Sequence, residues 1–150
     1  MLIRYFFVVA VLACCLASCK KDNNAANPEI TIVGKWYLKK YHTRSYKNDK
    51  LARDTSRSNY TPTDFEIFNA DGSGYTSNLT PAGETALIKY TYTLNGKSLM
   101  ITQNTPVFYE GTYTIIQLTE NTLEVTYESA VVFNGDHYRG IDNVLFKKQP

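Results

Sequence analysis

The seven residues Ile88-Lys89-Tyr90-Thr91-Tyr92-Thr93-Leu94 alternate apolar and polar without a fault, run into Asn95-Gly96, and are answered by Ser98-Leu99-Met100-Ile101-Thr102. Period-two alternation buries one face of a strand, and Asn-Gly tolerates the positive φ values that a two-residue antiparallel turn demands. A chain containing this unit has to build an antiparallel sheet around it. Helical crossovers between parallel strands need a dozen or more residues, and no such segment separates these two.

The same device recurs along the chain. Val33 to Arg44 carries Trp36 and Leu38 on one face and Lys35, Tyr37 and Lys39 on the other, which predicts a first strand. Asp64 to Asn69 resumes the alternation, Ala70-Asp71-Gly72-Ser73-Gly74 breaks it with a turn in which Gly72 or Gly74 takes positive φ, and Tyr75 to Leu79 returns. Glu110 to Leu118 and Thr122 to Glu128 form another pair, and Ala130 to Phe133 is joined to Arg139–Lys147 through Asn134-Gly135-Asp136. Tyr46 to Thr63 is polar, charged and weakly patterned, and reads as a long loop. Eight or so short strands without a convincing amphipathic helix imply an all-β fold, an antiparallel up-and-down meander closing into a roughly eight-stranded barrel; a two-sheet sandwich has the same periodicity.

The inward stripe of such a barrel follows from the alternation. Leu38 continues the face of Trp36; Phe65 with Ile67, Tyr90 with Tyr92, and Leu99 with Ile101 supply the next strands. Tyr113 with Ile115, and Leu123, Val125 and Tyr127, complete it. Tyrosines there present rings and hydroxyls that can orient an amphipathic ligand. A filled core is the alternative, because eight strands enclose just enough space for side chains to fill.

The N-terminus reads as an address. Arg4 precedes an unbroken apolar and aromatic run from Tyr5 to Leu12, too short to span a bilayer, and Leu16-Ala17-Ser18-Cys19 resembles the bacterial lipobox. That resemblance implies a lipoprotein signal peptide over 1–18, with a diacylglyceryl group and an amide-linked chain such as palmitate on Cys19, enough buried methylene to hold a domain on a membrane. Residues 19–31 form the lipidated cysteine and a flexible tether, and 32–148 the folded domain. Lys20 stands where the sorting rule for inner-membrane retention expects Asp, which favours the outer membrane, on its periplasmic or its surface face.

Composition excludes several other functions. All three cysteines fall within the first nineteen residues, leaving none for a disulfide, a zinc site or a thiol nucleophile in the domain. A net charge of +2 without a continuous Lys/Arg tract argues against nucleic acid. The charge is polarised, with ten Lys/Arg and four Asp/Glu from Lys20 to Arg57 and five against ten from Ser58 onward. The two parts attract each other across the fold, or the first presents a basic surface to anionic material. His42 falls on the Trp36/Leu38/Lys40 face by alternation, and His137 follows Asp136 in a turn with no third ligand beside it. Asp71-Gly72-Ser73-Gly74 lacks the further acidic ligands of a calcium loop, and no Gly-x-Ser-x-Gly motif is present. No catalytic residue, metal or cofactor is expected.

Gly34-x-Trp36, the hairpin Phe65-x-Ile67-Phe68-x-x-Asp71-Gly72-x-Gly74, then Tyr90-x-Tyr92-x-Leu94-x-Gly96-x-x-Leu99 and Leu118-Thr119-x-x-x-Leu123-x-Val125 together resemble the lipocalin-like domain of bacterial lipoproteins, within the calycin barrels. The resemblance implies that Gly34 and Trp36 close the barrel floor with a basic residue near the last strand, Arg139 or Lys147, packed over the indole. It implies a non-catalytic module that binds a small hydrophobic or amphipathic molecule. The alternative is a structural or interaction subunit of an envelope complex, working through an exposed aromatic stripe of Tyr37 and Tyr41 with Lys39 between them; no protein partner can be named from the sequence.

Overall fold

The computed structural model describes residues 30–79, 84–104 and 109–149. Nine strands follow in chain order: β1 (Gly34–Lys47), β2 (Lys50–Arg57), β3 (Phe65–Phe68), β4 (Ser73–Leu79), β5 (Thr85–Asn95), β6 (Ser98–Gln103), β7 (Tyr109–Leu118), β8 (Thr122–Phe133) and β9 (Asp136–Lys147). Every pairing is antiparallel, and from β3 to β9 each strand bonds to the next. β9 then pairs back onto β1 from Tyr37↔Lys147 to Lys47↔Tyr138, which closes the sheet. The closure settles barrel against sandwich.

β1 serves two partners on its other edge. Gly34 to Tyr37 pair with β3, whereas Tyr41 to Lys47 pair with β2. Eight strands therefore form the barrel, and β2 is an extra strand beside the upper half of β1. The residues expected as a loop after the first strand thus contain β2, all eight of whose residues are exposed. The hairpin turns at Asn48 and Asp49, with φ of 48° and 61°, the left-handed pair that short Asx side chains tolerate. The tip of this hairpin is clasped to that of β8–β9. Lys47 Nζ meets Asp136 Oδ2 at 2.7 Å, Asn48 Nδ2 donates to Asp136 Oδ1 at 2.7 Å, and the His137 backbone N–H donates to Asn48 Oδ1 at 2.9 Å. The Asp136 carboxylate is thus spent on this clasp, which His137 joins through its backbone, and the ion pair joins the basic and acidic parts of the chain.

The core lies at the lower end of the barrel, where Trp36, Leu99 and Leu123 are almost wholly enclosed among Ile32, Phe68, Tyr90 and Phe146. Gly72, with φ +81°, supplies the left-handed turn between β3 and β4. Gly74 has a different task. It lies opposite Tyr90, whose ring occupies the space above it, so a Cβ there would clash with the ring and stand 2.6 Å from the Ile67 carbonyl oxygen. Gly74→Ala is expected to destabilise by about 1–3 kcal/mol through overpacking. Urea denaturation measures it, and a change below about 0.5 kcal/mol, the scatter of neutral surface changes, would contradict this packing.

A bulge in β1 and the phase of β3 decide which of their side chains face inward. Between Leu38 and Lys40 the register of β1 against β9 shifts by one residue at Lys39. Such a bulge reverses facing beyond it, so Tyr41 points into the barrel and His42 out. His42 Nε2 lies 2.7 Å from Asp54 Oδ1 of β2 on the outer surface. The expected outer stripe of Tyr37 and Tyr41 is not formed. On β3, Glu66 stands directly opposite Trp36, and Phe68 belongs to the core, so Phe65 and Ile67 face outward. The Phe65 ring packs edge-on to Tyr37, 6.4 Å between centroids, beneath Lys35 Nζ at 3.7 Å.

Candidate functional site: the barrel cavity

The floor is built by the start of β1 and the end of the chain. The Trp36 Nε1–H donates to the Ile32 carbonyl at 2.6 Å, which holds the segment before β1 across the lower opening. Gly34, with φ +130°, adopts a conformation closed to other residues, and a Cβ on it would lie 2.7 Å from Lys148 Nζ. Lys148 sits 4.6 Å from the indole centroid and donates to the Val33 carbonyl at 2.8 Å. The basic residue over the tryptophan is therefore Lys148, and neither Arg139 nor Lys147 takes that place. Phe146 faces inward, so Lys147 turns outward, where its Nζ donates to Thr122 Oγ1 at 2.6 Å; Lys148, just past the strand, is free to fold back over the floor. Arg139 belongs to the far end of β9, where it stacks on Tyr46 at 4.5 Å and reaches Glu128 at 3.4 Å.

Above the floor lies a cavity of about 400 Å³, within the range of small-molecule sites. Its lower wall is apolar, formed by Leu38, Phe68, Leu99, Leu123, Val125 and Phe146. Its upper part is bordered by Tyr41, Tyr109, Tyr113 and Tyr127 with Asp142, and the lining also includes Asp64, Glu66, Thr76 and Ser77. An apolar base beneath an amphipathic collar suits a molecule with a hydrocarbon body and a polar group.

Of the ten residues predicted to line the interior, Leu38, Phe65, Leu99, Ile101, Tyr113 and Tyr127 border the cavity. Phe65 borders it although its ring packs against Tyr37, and Ile67 does not reach it. Tyr90, Tyr92 and Ile115 face inward but are consumed by packing. The Tyr90 hydroxyl donates to the Ile67 carbonyl at 3.0 Å, and that of Tyr92 to the Asn69 carbonyl at 2.6 Å. Tyr92 also stands edge-on to Phe68 at 5.1 Å, and Ile115 is buried in the core. Cys19 lies outside the described residues.

Seven polar lining residues escaped the sequence reading: Tyr41, Asp64, Glu66, Thr76, Ser77, Tyr109 and Asp142. Asp142 was legible, since it is two residues before Val144 and four before Phe146 on the same strand face. Tyr41 was hidden by the bulge at Lys39. Burial, then a hydrogen bond to Asp142, raises the Tyr41 hydroxyl above its ordinary pKa. Burial also raises Tyr113, whose hydroxyl lies 2.8 Å from that of Tyr109. Glu66 is the outlier. Part of its side chain faces the cavity, but Oε2 is enclosed and has no hydrogen-bond partner. Burial pushes its carboxyl up to about 7, against the opposing pull of hydrogen bonds from Thr76 and Tyr90. Among the described residues no cluster of three or more His, Cys, Asp or Glu is arranged to hold a metal ion.

Residues 32–125 match a family model described as a lipocalin-like domain. Among solved structures, the chain is similar to a lipocalin-like protein from Bacteroides uniformis, at 20% identity and a TM-score of 0.51, with 77% of this chain and 96% of that one covered. It also matches an uncharacterized protein from Bacteroides eggerthii at 18% identity and a TM-score of 0.45, over 77% and 98% of the two chains. No curated protein matches.

Proposed function

Because the chain belongs to the lipocalin-like domain family, we propose that it is a non-catalytic binding module that holds a small hydrophobic or amphipathic molecule in its barrel, and that lipid on Cys19 tethers it to the outer membrane. The cavity of about 400 Å³ carries the first half of this reading. It is large enough for a ligand, apolar below and tyrosine-lined above, as an amphiphile requires. The anchor rests on the sequence Leu16-Ala17-Ser18-Cys19 after an apolar run, and the outer membrane on Lys20. Which face of that membrane the barrel occupies is a further question that protease shaving of intact cells answers.

Native mass spectrometry tests both halves. The chain from Lys20 onward, purified gently from a bacterial host, is expected to carry a co-purifying small molecule. The full chain extracted from membranes is expected to carry the added mass of its acyl groups, absent from Cys19→Ala. A clean apo mass, with no thermal shift from amphiphiles, would overturn the ligand reading; an unmodified Cys19 would overturn the anchor. A second reading draws on one surface feature. At the β8–β9 tip Val131, Val132 and Phe133 are all more than half exposed, at 61%, 60% and 65%. Such a tip fits an interaction subunit of an envelope complex, and the apo outcome would favour it.

A further inference from the structure

We infer that the molecule held in the barrel is an amphiphile whose polar end is a protonated amine lodged against Glu66, not a fatty acid or other carboxylate. This rests on the ligand-binding reading above and deepens it. The charged side chains lining the cavity are Asp64, Glu66 and Asp142, and no Lys, Arg or His joins them among the described lining residues. The connections 80–83 and 105–108, outside the described residues, contain no Lys, Arg or His either. A bound carboxylate would meet its own charge with no cation to offset it.

The three acids are not equivalent. Asp64 Oδ2 accepts from the Thr61 backbone N–H at 2.7 Å and from Thr61 Oγ1 at 2.9 Å. Asp142 is engaged by the Tyr41 hydroxyl. Glu66 alone among them keeps an enclosed oxygen without a donor. An unmet acceptor in a low-dielectric wall costs free energy that an incoming donor recovers, and a charged donor recovers most. The terminal torsion of a glutamate is broad, so a small rotation brings either carboxyl oxygen to the cavity. The tyrosine collar adds π faces, which attract ammonium groups and do not attract carboxylates. Burial already holds the Glu66 proton near neutrality, and an ammonium beside it stabilises the carboxylate.

Calorimetric titration at pH 8 with octylamine, octanol and octanoate, matched in chain length, tests the inference. The protein is the chain from Lys20, which keeps every strand of the closed barrel. Octylamine is expected to bind at least about tenfold more tightly than octanoate, a step of ~1.4 kcal/mol. In Glu66→Gln the ratio of octylamine to octanol affinity is expected to fall to about one. Octanoate binding as tightly as octylamine overturns the inference, as does an amine preference that survives in Glu66→Gln; the first result needs no variant to fold. If octanol binds and no head group is preferred, only this inference falls. If none of the three binds, the ligand reading falls with it.

Discussion

Trp36→Ala is expected to remove roughly 3–5 kcal/mol of stability, the range for deleting a large buried aromatic side chain. The indole is fully enclosed, its N–H is the donor to the Ile32 carbonyl at 2.6 Å, and its face receives Lys148 Nζ at 4.6 Å. Deletion therefore leaves a void, an unsatisfied buried carbonyl and a cation without its platform, all at the one place where the barrel is sealed. Domains of this size have only about 5–15 kcal/mol in total, so the variant sits near its unfolding limit at room temperature. Trp36→Phe keeps most of the ring and loses the hydrogen bond, and its cost is expected to be smaller, on the order of 1–2 kcal/mol. Urea denaturation followed by circular dichroism reads both, independently of the lost tryptophan. A loss of less than about 1 kcal/mol for Trp36→Ala would mean that the floor is not sealed as described.

Glu66→Gln is expected to act in the opposite direction. The folded-state pKa of Glu66 is raised from 4.5 to about 7. The folded chain therefore keeps a proton that the unfolded chain releases, and stability falls as pH rises through that window and is flat above it. Glutamine carries no charge to bury and removes this slope. The difference between the two proteins is expected to be near zero below pH 4.5 and to grow to about 3 kcal/mol in favour of the variant above pH 7, an upper figure because the amide also needs partners. Tyr90 and Tyr113, the titratable neighbours whose pKa values Glu66 raises, stay neutral throughout this range. Thermal melts of both proteins from pH 4 to pH 9 check it, and parallel curves would contradict the buried carboxyl.

The hairpins were legible wherever both strands were half-buried and the turn was Asn-Gly or Asp-Gly. β5 and β6 meet at Asn95-Gly96, and β8 and β9 at Asn134-Gly135, as the turns predict, although the segments read as Thr122–Glu128 and Ala130–Phe133 are the single strand β8 and β9 starts earlier, at Asp136. β2 was not legible, because a strand that buries nothing has no apolar period; its only cue was Asn48-Asp49. The segment Phe65-Glu66-Ile67-Phe68 reads either way, since apolar residues occupy both phases, and the natural choice puts the carboxylate outside. The fold does the reverse, because Phe68 is needed in the core and Glu66 shares its phase. The bulge at Lys39 has no signature in composition at all. Both failures lie at the cavity wall, where local preference and final structure part company, and both concealed residues that give the cavity its polarity. The floor was half legible. Gly34 and Trp36 came from the resemblance to lipocalin-like domains, whereas Lys148 was passed over for Arg139 and Lys147 because it lies just beyond the strand that alternation could follow.

The seam between β1 and β9 has a kinetic meaning. Leu38 pairs with Phe146, more than a hundred residues later in the chain. Neighbouring hairpins can form early, each from a local turn, but the ring of hydrogen bonds cannot be completed until the last strand arrives. Contacts of such long sequence separation slow folding toward the millisecond-to-second range of all-β domains. During synthesis, the emerging chain would hold the β9-facing edge of its first strand unpaired until its final strand has emerged, even with β2 and β3 already in place on the other edge. Tyr37 to Lys47 is therefore the edge that an unfinished molecule leaves open to mispairing, and completion of the chain is the event that retires it.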